Sequence, residues 1–186
     1  MRTVLSTTLI GYCDGGFRES PVTRLGVGAS AWFLDESNFG AVAAPAKNST
    51  MAELDAVIGL VRLWGRRSER LVCYTDQKGW AEHAGTFTAE LRRSRPEVAE
   101  EVEKLLGGVE FYWSPGHKGE ALAGLVFVDH LERFARQMAV LGTTNVFTIK
   151  ASDTCLGRLK RVSPVGALMS HFLLEQQRLG LGIERP

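Results

Sequence analysis

The chain has 186 residues, of which 45% are hydrophobic and 23% charged. That balance is ordinary for a globular protein with a packed core and argues against disorder. A formal net charge of +1 excludes a polycation, so a nucleic-acid partner would have to be met by a local basic patch. Cys13, Cys73 and Cys155 are odd in number and lack CxxC spacing. They argue against a disulfide framework or a zinc site and fit a reducing, cytoplasmic setting.

The opening MRTVLSTTLI has one Arg, an apolar run broken by threonines and no small-residue cleavage site. It reads as a strand rather than a signal peptide. Residues 3–13 form this strand, which ends at Asp14-Gly15-Gly16, where Asp-Gly chemistry favours a turn. Gly26–Leu34 and Phe39–Ala44 are two further strands, joined by the turn-forming stretch Asp35-Glu36-Ser37-Asn38. A helix follows, with Thr50 and Glu53 at capping-box spacing. Leu54, Val57, Ile58 and Val61 recur along it at helical intervals, and Gly65 closes it.

Residues 70–75, RLVCYT, are a nearly continuous apolar run, the pattern of a central strand buried on both faces. Lys78–His83 predicts one or two helical turns, stopped by Gly85. Pro96 opens another helix with the apolar face Val98, Val102, Leu105 and Leu106, ended by Gly107-Gly108. Val109–Trp113 is a strand, followed by a turn at Ser114-Pro115-Gly116. Residues 125–140 form an amphipathic helix with Leu131, Phe134, Ala135 and Met138 inward. The order β-β-β-α-β-α-β-α describes a mixed α/β domain over residues 1–141.

Residues 142–186 read as a C-terminal extension. Val146–Ile149 has strand character, and Ser163-Pro164 begins a helix with Val165, Leu168, Met169 and Phe172 at helical spacing. An isolated helix of that length is marginal in water. Its apolar face must therefore pack on the core or against a second copy, giving a homodimer. Lys150, Arg158, Lys160 and Arg161 border the extension as a basic run, a solvated face by default and a phosphate contact as the alternative.

Three acids sit where chemistry is expected. Asp14 ends the first strand, Asp76 ends the buried strand, and Glu53 lies in the first turn of the first helix. Strand ends and helix starts converge at ligand sites in open α/β sheets. A carboxylate cluster there repels itself, and a divalent cation is the natural compensation. Hard oxygen ligands select Mg²⁺ or Mn²⁺ over zinc. Each acid also has a bland reading: Asp14 as a turn former, Glu53 as half of a capping box, Asp76 as a helix cap. Asp129, beside Glu132, Arg133 and Arg136, reads by default as a solvated helix acid. The four tryptophans, Trp32, Trp64, Trp80 and Trp113, read as core, with Trp80 close after Asp76.

Cys13-Asp14-Gly15-Gly16, Thr50-Met51-Ala52-Glu53-Leu54, Tyr74-Thr75-Asp76 and Trp113-Ser114-Pro115-Gly116-His117-Lys118-Gly119 follow one another in the order of a known family. Together they resemble type 1 ribonuclease H over residues 5–140, with Asp129 resembling that family's fourth acid. The resemblance implies the ribonuclease H fold, a five-stranded mixed sheet with helices on both sides. It implies endonucleolytic hydrolysis of the RNA strand of RNA:DNA hybrids, with two Mg²⁺ ions held by Asp14, Glu53, Asp76 and Asp129. It also implies that His117, on a loop, assists proton transfer or product release.

Gly15, Gly16, Asn48, Ser49 and Lys78 stand where substrate contacts fall in the family. Leu125-Val126 replace its usual Asn-Glu pair, Ser20 stands where an Asn-Pro pair is usual, and Arg92, Arg93 and Arg95 are the nearest substitute for a basic handle. Two alternatives remain: a nuclease of this fold acting on DNA, as a resolvase or exonuclease, and a non-catalytic nucleic-acid-binding module.

Overall fold

The apolar run at 70–75 becomes a strand next to the edge of the sheet, between its two parallel neighbours. In the computed structural model, which describes residues 8–19, 26–35, 37–65, 70–115, 122–141 and 146–150, strand β1 (Thr8–Glu19) continues as an antiparallel meander into β2 (Gly26–Asp35) and β3 (Asn38–Pro45). Strand β4 (Arg70–Thr75) lies parallel to β1 on one side and to β5 (Val109–Trp113) on the other. The short strand β6 (Phe147–Lys150) adds to β3 antiparallel, so the order is β5-β4-β1-β2-β3-β6. The sheet is mixed, as expected, but has six strands rather than five. The extra one is the Val146–Ile149 strand signal, shifted by one residue.

Among the described residues, five α-helices accompany the sheet. Helices α1 (Ser49–Trp64), α2 (Lys78–Glu82), α3 (Ala84–Ser94) and α4 (Pro96–Leu105) precede β5, and α5 (Ala123–Leu141) follows it. Leu54, Leu60, Val61, Leu71, Phe87, Leu91 and Val102 form a core between α1, α3, α4 and the sheet. Val27, Ala29, Ala31, Phe33, Phe39, Phe127, Val128, Leu131 and Ala135 form a second core under α5. Full burial of each large side chain contributes about 1.5–3 kcal/mol. No helix among the described residues is long and apolar enough to cross a membrane.

Several local expectations need correction. Asp14-Gly15-Gly16 makes no turn: β1 runs through it to Glu19, with Gly15 opposite Ser30 and Gly16 opposite Ala29. The cap of α1 is Asn48, whose Oδ1 accepts the Met51 N–H at 3.0 Å. Thr50 lies inside the helix, which leaves Glu53 for another task. Gly65 closes α1 in the left-handed conformation (φ 58°), as its position predicted. Gly85 stops nothing; it lies in the first turn of α3, a helix anchored by Phe87 and Leu91 at i,i+4. Met138 is 39% exposed, and Ala139 takes the inward position on α5.

Candidate metal centre

The parallel pairing of β1 with β4 sets Tyr12 against Tyr74. Two residues further, the same register brings Asp14 of β1 beside Asp76, just past the carboxyl end of β4. Strand alternation sends Cys13 into the α1-side core, where its Sγ lies 3.6 Å from that of Cys73. Asp14 is thereby directed toward α5.

Glu53 arrives from the first turn of α1. The helix lies so close to β1 that a Cβ on Gly15 would stand 2.2 Å from the Glu53 nitrogen. Gly15 is therefore the close-approach glycine of the site rather than a turn residue. Its N–H donates to Glu53 Oε2 at 2.9 Å. The Ser30 hydroxyl donates to the Ala52 carbonyl at 2.7 Å, fixing the same turn of α1 to β2. The Gln77 side chain also hydrogen-bonds to Glu53. Gln77 is held in turn by its own N–H to Thr75 Oγ1 at 3.1 Å.

Helix α5 contributes the remaining acids. Asp129 and Glu132 are spaced i,i+3 and share a face. Each has a basic partner one turn on: Arg133 Nε lies 2.9 Å from Asp129 Oδ1, and Arg136 Nε lies 3.1 Å from Glu132 Oε1. Arg136 is also tied to β1, donating from Nη1 to the Phe17 carbonyl at 3.1 Å.

Two triads of carboxylates result. Asp14, Glu53 and Asp76 each place an oxygen within 4.8 Å of the others, and so do Asp14, Asp129 and Glu132. Asp14 belongs to both. Burial and like charge drive Asp14, Glu53 and Glu132 toward the protonated form. Asp14 is pushed up to about 8, first by burial and then by the charges of Asp76, Asp129 and Glu132, with the Gly15 N–H pulling the other way. Burial, Asp14 and Asp76 hold Glu53 well above the usual carboxylate range, against the opposing hydrogen bonds of Gly15 and Gln77. Glu132 rises to about 7 through burial and Asp129, despite Arg136 and Arg133. All the grouped ligand atoms are carboxylate oxygens, a hard donor set that fits Mg²⁺ or Mn²⁺ and does not fit a thiolate-seeking metal.

The structure thus brings together Asp14, Glu53, Asp76 and Asp129, the acids singled out in the sequence. It adds two groups that were not: Glu132 as an acid and Gln77 as the orienter of Glu53. Gly15 and Gly16 line the acids, Gly15 against the Glu53 backbone and Gly16 against the Glu132 carboxylate. Asn48 and Ser49 are exposed at the start of α1, where the cap uses Asn48 Oδ1 and leaves its amide donors to other partners. Lys78 opens α2 and pairs with Glu82 at 3.3 Å. His117 lies outside the described residues, as do Ser20, Gly116, Gly119, Cys155 and the basic and helical signals of 151–186.

Trp113 is not core: it is 45% exposed on the edge strand β5. Its Nε1 donates to the Asp76 carbonyl at 3.2 Å, and Lys78 Nζ lies 5.5 Å from its ring centroid. Trp80, by contrast, is buried edge-on against Phe87. The arginines considered as a basic handle are paired within the fold: Arg92 with Glu103, Arg93 with Glu90, Arg95 with Asp55.

No family model and no curated protein matches the sequence. Among solved structures, the chain is similar to LC9-RNase H1, described as a type 1 RNase H with the type 2 active-site motif. The identity is 15% and the TM-score 0.56, over 90% of this chain and 87% of that one. It is also similar to RNase H1 from the halophilic archaeon Halobacterium salinarum, at 18% identity and TM-score 0.50, over 70% and 98% of the two chains. A foamy viral protease-reverse transcriptase, solved with dsDNA, matches at 15% identity and TM-score 0.51, over 72% and 96%. At such identities the likeness shows the fold, and the fold is that of ribonuclease H.

Proposed function

We propose that this protein is a divalent-metal-dependent endonuclease that hydrolyses the RNA strand of RNA:DNA hybrids. The observation that carries the reading is the convergence of Glu53, Asp76 and Asp129, from separate elements, on the buried Asp14, in two adjoining triads that share it. Buried carboxylates without compensating cations are costly, and such clusters persist where function requires them. The same reading is supported by the ribonuclease H fold and by the ordered motifs around each acid.

In this role Asp14 is the shared ligand of the centre, with Glu53 and Asp76 on one side and Asp129 on the other. When bound, a pair of Mg²⁺ ions, with Mn²⁺ as substitute, supplies activation of the attacking water and charge stabilisation at the leaving 3′ oxygen. The protein's own contribution is to hold the acids in place. Gly15 and Gln77 orient Glu53 by hydrogen bonds, and Ser30 fixes the turn of α1 that carries it. His117 assists proton transfer or product release. Asn48 and Ser49 present polar groups to the minor groove, where the 2′-OH marks the RNA strand. Lys78, with the exposed ring of Trp113, offers a phosphate and stacking contact on the rim beside Asp76.

The test is cleavage of end-labelled RNA:DNA hybrid, duplex DNA and duplex RNA of one sequence, with Mg²⁺ and with chelator. The hybrid's RNA strand is expected to be cut internally, only with the cation, and faster than either duplex. Equal cutting of duplex DNA would move the assignment to a DNA nuclease of this fold. Binding without any cleavage would move it to a non-catalytic module.

A further inference from the structure

The acid that the four-carboxylate set does not use is Glu132, and its surroundings are unusual for a helix-surface glutamate. It is 2% exposed, one of the largest fully buried side chains in the protein. It occupies the apolar stripe of α5 with Val128 and Ala135, one turn to either side, both buried at 0% exposure. Its carboxylate points at β1, where a Cβ on Gly16 would stand 2.4 Å from Oε1 and 2.8 Å from Oε2. Glycine at that position is what admits the carboxylate between the helix and the strand. Arg136 Nε lies 3.1 Å from Oε1, yet Oε1 is buried and takes no hydrogen bond, so the arginine offsets the charge without occupying the oxygen. A buried carboxylate oxygen left in that state needs a further partner. The nearest groups placed to share one are Asp14 and Asp129.

We infer that Glu132 is a fifth metal-ligating carboxylate, completing with Asp14 and Asp129 a second cation subsite beside the one formed by Asp14, Glu53 and Asp76. The inference rests on the proposed metal-dependent function and adds to it. Mg²⁺ in nucleotide-processing sites is commonly held by one or two carboxylates plus substrate phosphates. A third carboxylate lets the subsite hold its ion before nucleic acid arrives. A Glu132 that only paired with Arg136 would fix α5 to the sheet and leave ion binding alone.

Calorimetric titration of the full chain with Mn²⁺, in the absence of nucleic acid, separates these roles. The wild type is expected to bind two ions. Glu132→Gln, which keeps the shape and removes the charge, is expected to keep one ion at wild-type affinity and to weaken the other about tenfold or more. Glu132→Asp, which shortens the ligand but keeps the charge, serves if the glutamine variant does not fold, and is expected to weaken the same ion. Arg136→Gln is expected to bind two ions, even if less stable. The inference is overturned if the Glu132 variants bind two ions as the wild type does, or if the wild type binds one. A wild type that binds no ion would instead overturn the metal-dependent reading on which the inference depends.

Discussion

Helix α1 carries charge in two ways on its two faces. On its outer face Asp55 pairs with Arg95 and Arg62 with Glu101, at 2.8 Å for the latter, in contact with water. Arg92 and Glu103 continue the pattern between α3 and α4. Every negative charge there has a positive neighbour, and the helices would pack without them. On the inner face Glu53 is 5% exposed and meets Asp14, itself 7% exposed, with Asp76 beside them. Among the described residues the cations paired with acids of the site are Arg133 and Arg136, both on α5. The outer pairs are matched and screened and contribute little; the inner acids are mismatched and desolvated and interact strongly. The protein tolerates the second arrangement because the apolar cores on both sides of the sheet hold its elements in place, so the site's charge is free to serve binding.

The sharpest break in that comparison is to neutralise an inner acid. Asp14→Asn or Asp76→Asn is expected to abolish hybrid cleavage, a loss of about a thousandfold or more, since metal-site charge stabilisation amounts to several kcal/mol. In chelator the same variants should melt at or above the wild-type temperature, because like-charge repulsion is relieved. Near-wild-type cleavage by both would remove the basis for the metal reading. Next in size, His117→Ala should slow turnover by about 10²- to 10⁴-fold without abolishing it, the contribution of a positioned proton-transfer group. A pH–rate profile identical to wild type would show that His117 takes no part in the reaction.

Gly15→Ala probes the geometry rather than the charge. The new Cβ would meet the backbone of Glu53, which cannot swing aside as a side chain would. The expected cost is about 1–3 kcal/mol of stability, with cleavage down about 10²-fold if Glu53 shifts by an ångström. Denaturant melting and a rate assay read the two effects, and unchanged values in both would mean that α1 is not pinned there. At the small end, Arg62→Ala, Glu101→Ala and the double variant should each change stability by at most about 1 kcal/mol and leave cleavage untouched. A coupling of several kcal/mol in that cycle would contradict the distinction drawn between the two faces.

The same contrast explains what could be read from the sequence. β4 and the acid at its end were legible because a continuous apolar run leaves no other place for residues 70–75. The C-terminus of α1 was legible because Gly65 has one conformational use there. Gly15-Gly16 was misread because a turn and a close approach of two backbones select the same residue, and only the position of α1 distinguishes them. α3 was missed because Gly85 resembles a stop, although Phe87 and Leu91 carried the helical spacing. Glu132 was passed over because an acid four residues before an arginine looks like a surface pair. The overlooked signal was its place between Val128 and Ala135 on the buried stripe of α5. Trp113 was assigned to the core because aromatic residues usually belong there, while the edge position of β5 depends on pairings that the local sequence does not record.

The melting temperature against pH, in chelator and in Mg²⁺, tests most directly whether the buried acids form a cation site. Burial and the neighbouring acids push Asp14 from its ordinary 3.8 up to about 8 in the folded chain; burial raises Glu132 in the same sense, to about 7. Between those limits the folded protein holds protons that the unfolded chain has released. This stabilisation is therefore full at low pH and is lost as pH rises through the folded values. In chelator the melting temperature is predicted to fall between about pH 4 and pH 8, by about 2–4 °C for each kcal/mol lost, and to level off above that interval. Mg²⁺ is predicted to restore most of that fall, with its largest effect at the alkaline end, where the ionised acids bind it best. A melting temperature in chelator that holds steady or rises over that interval, with no response to Mg²⁺ at either end, would contradict the account.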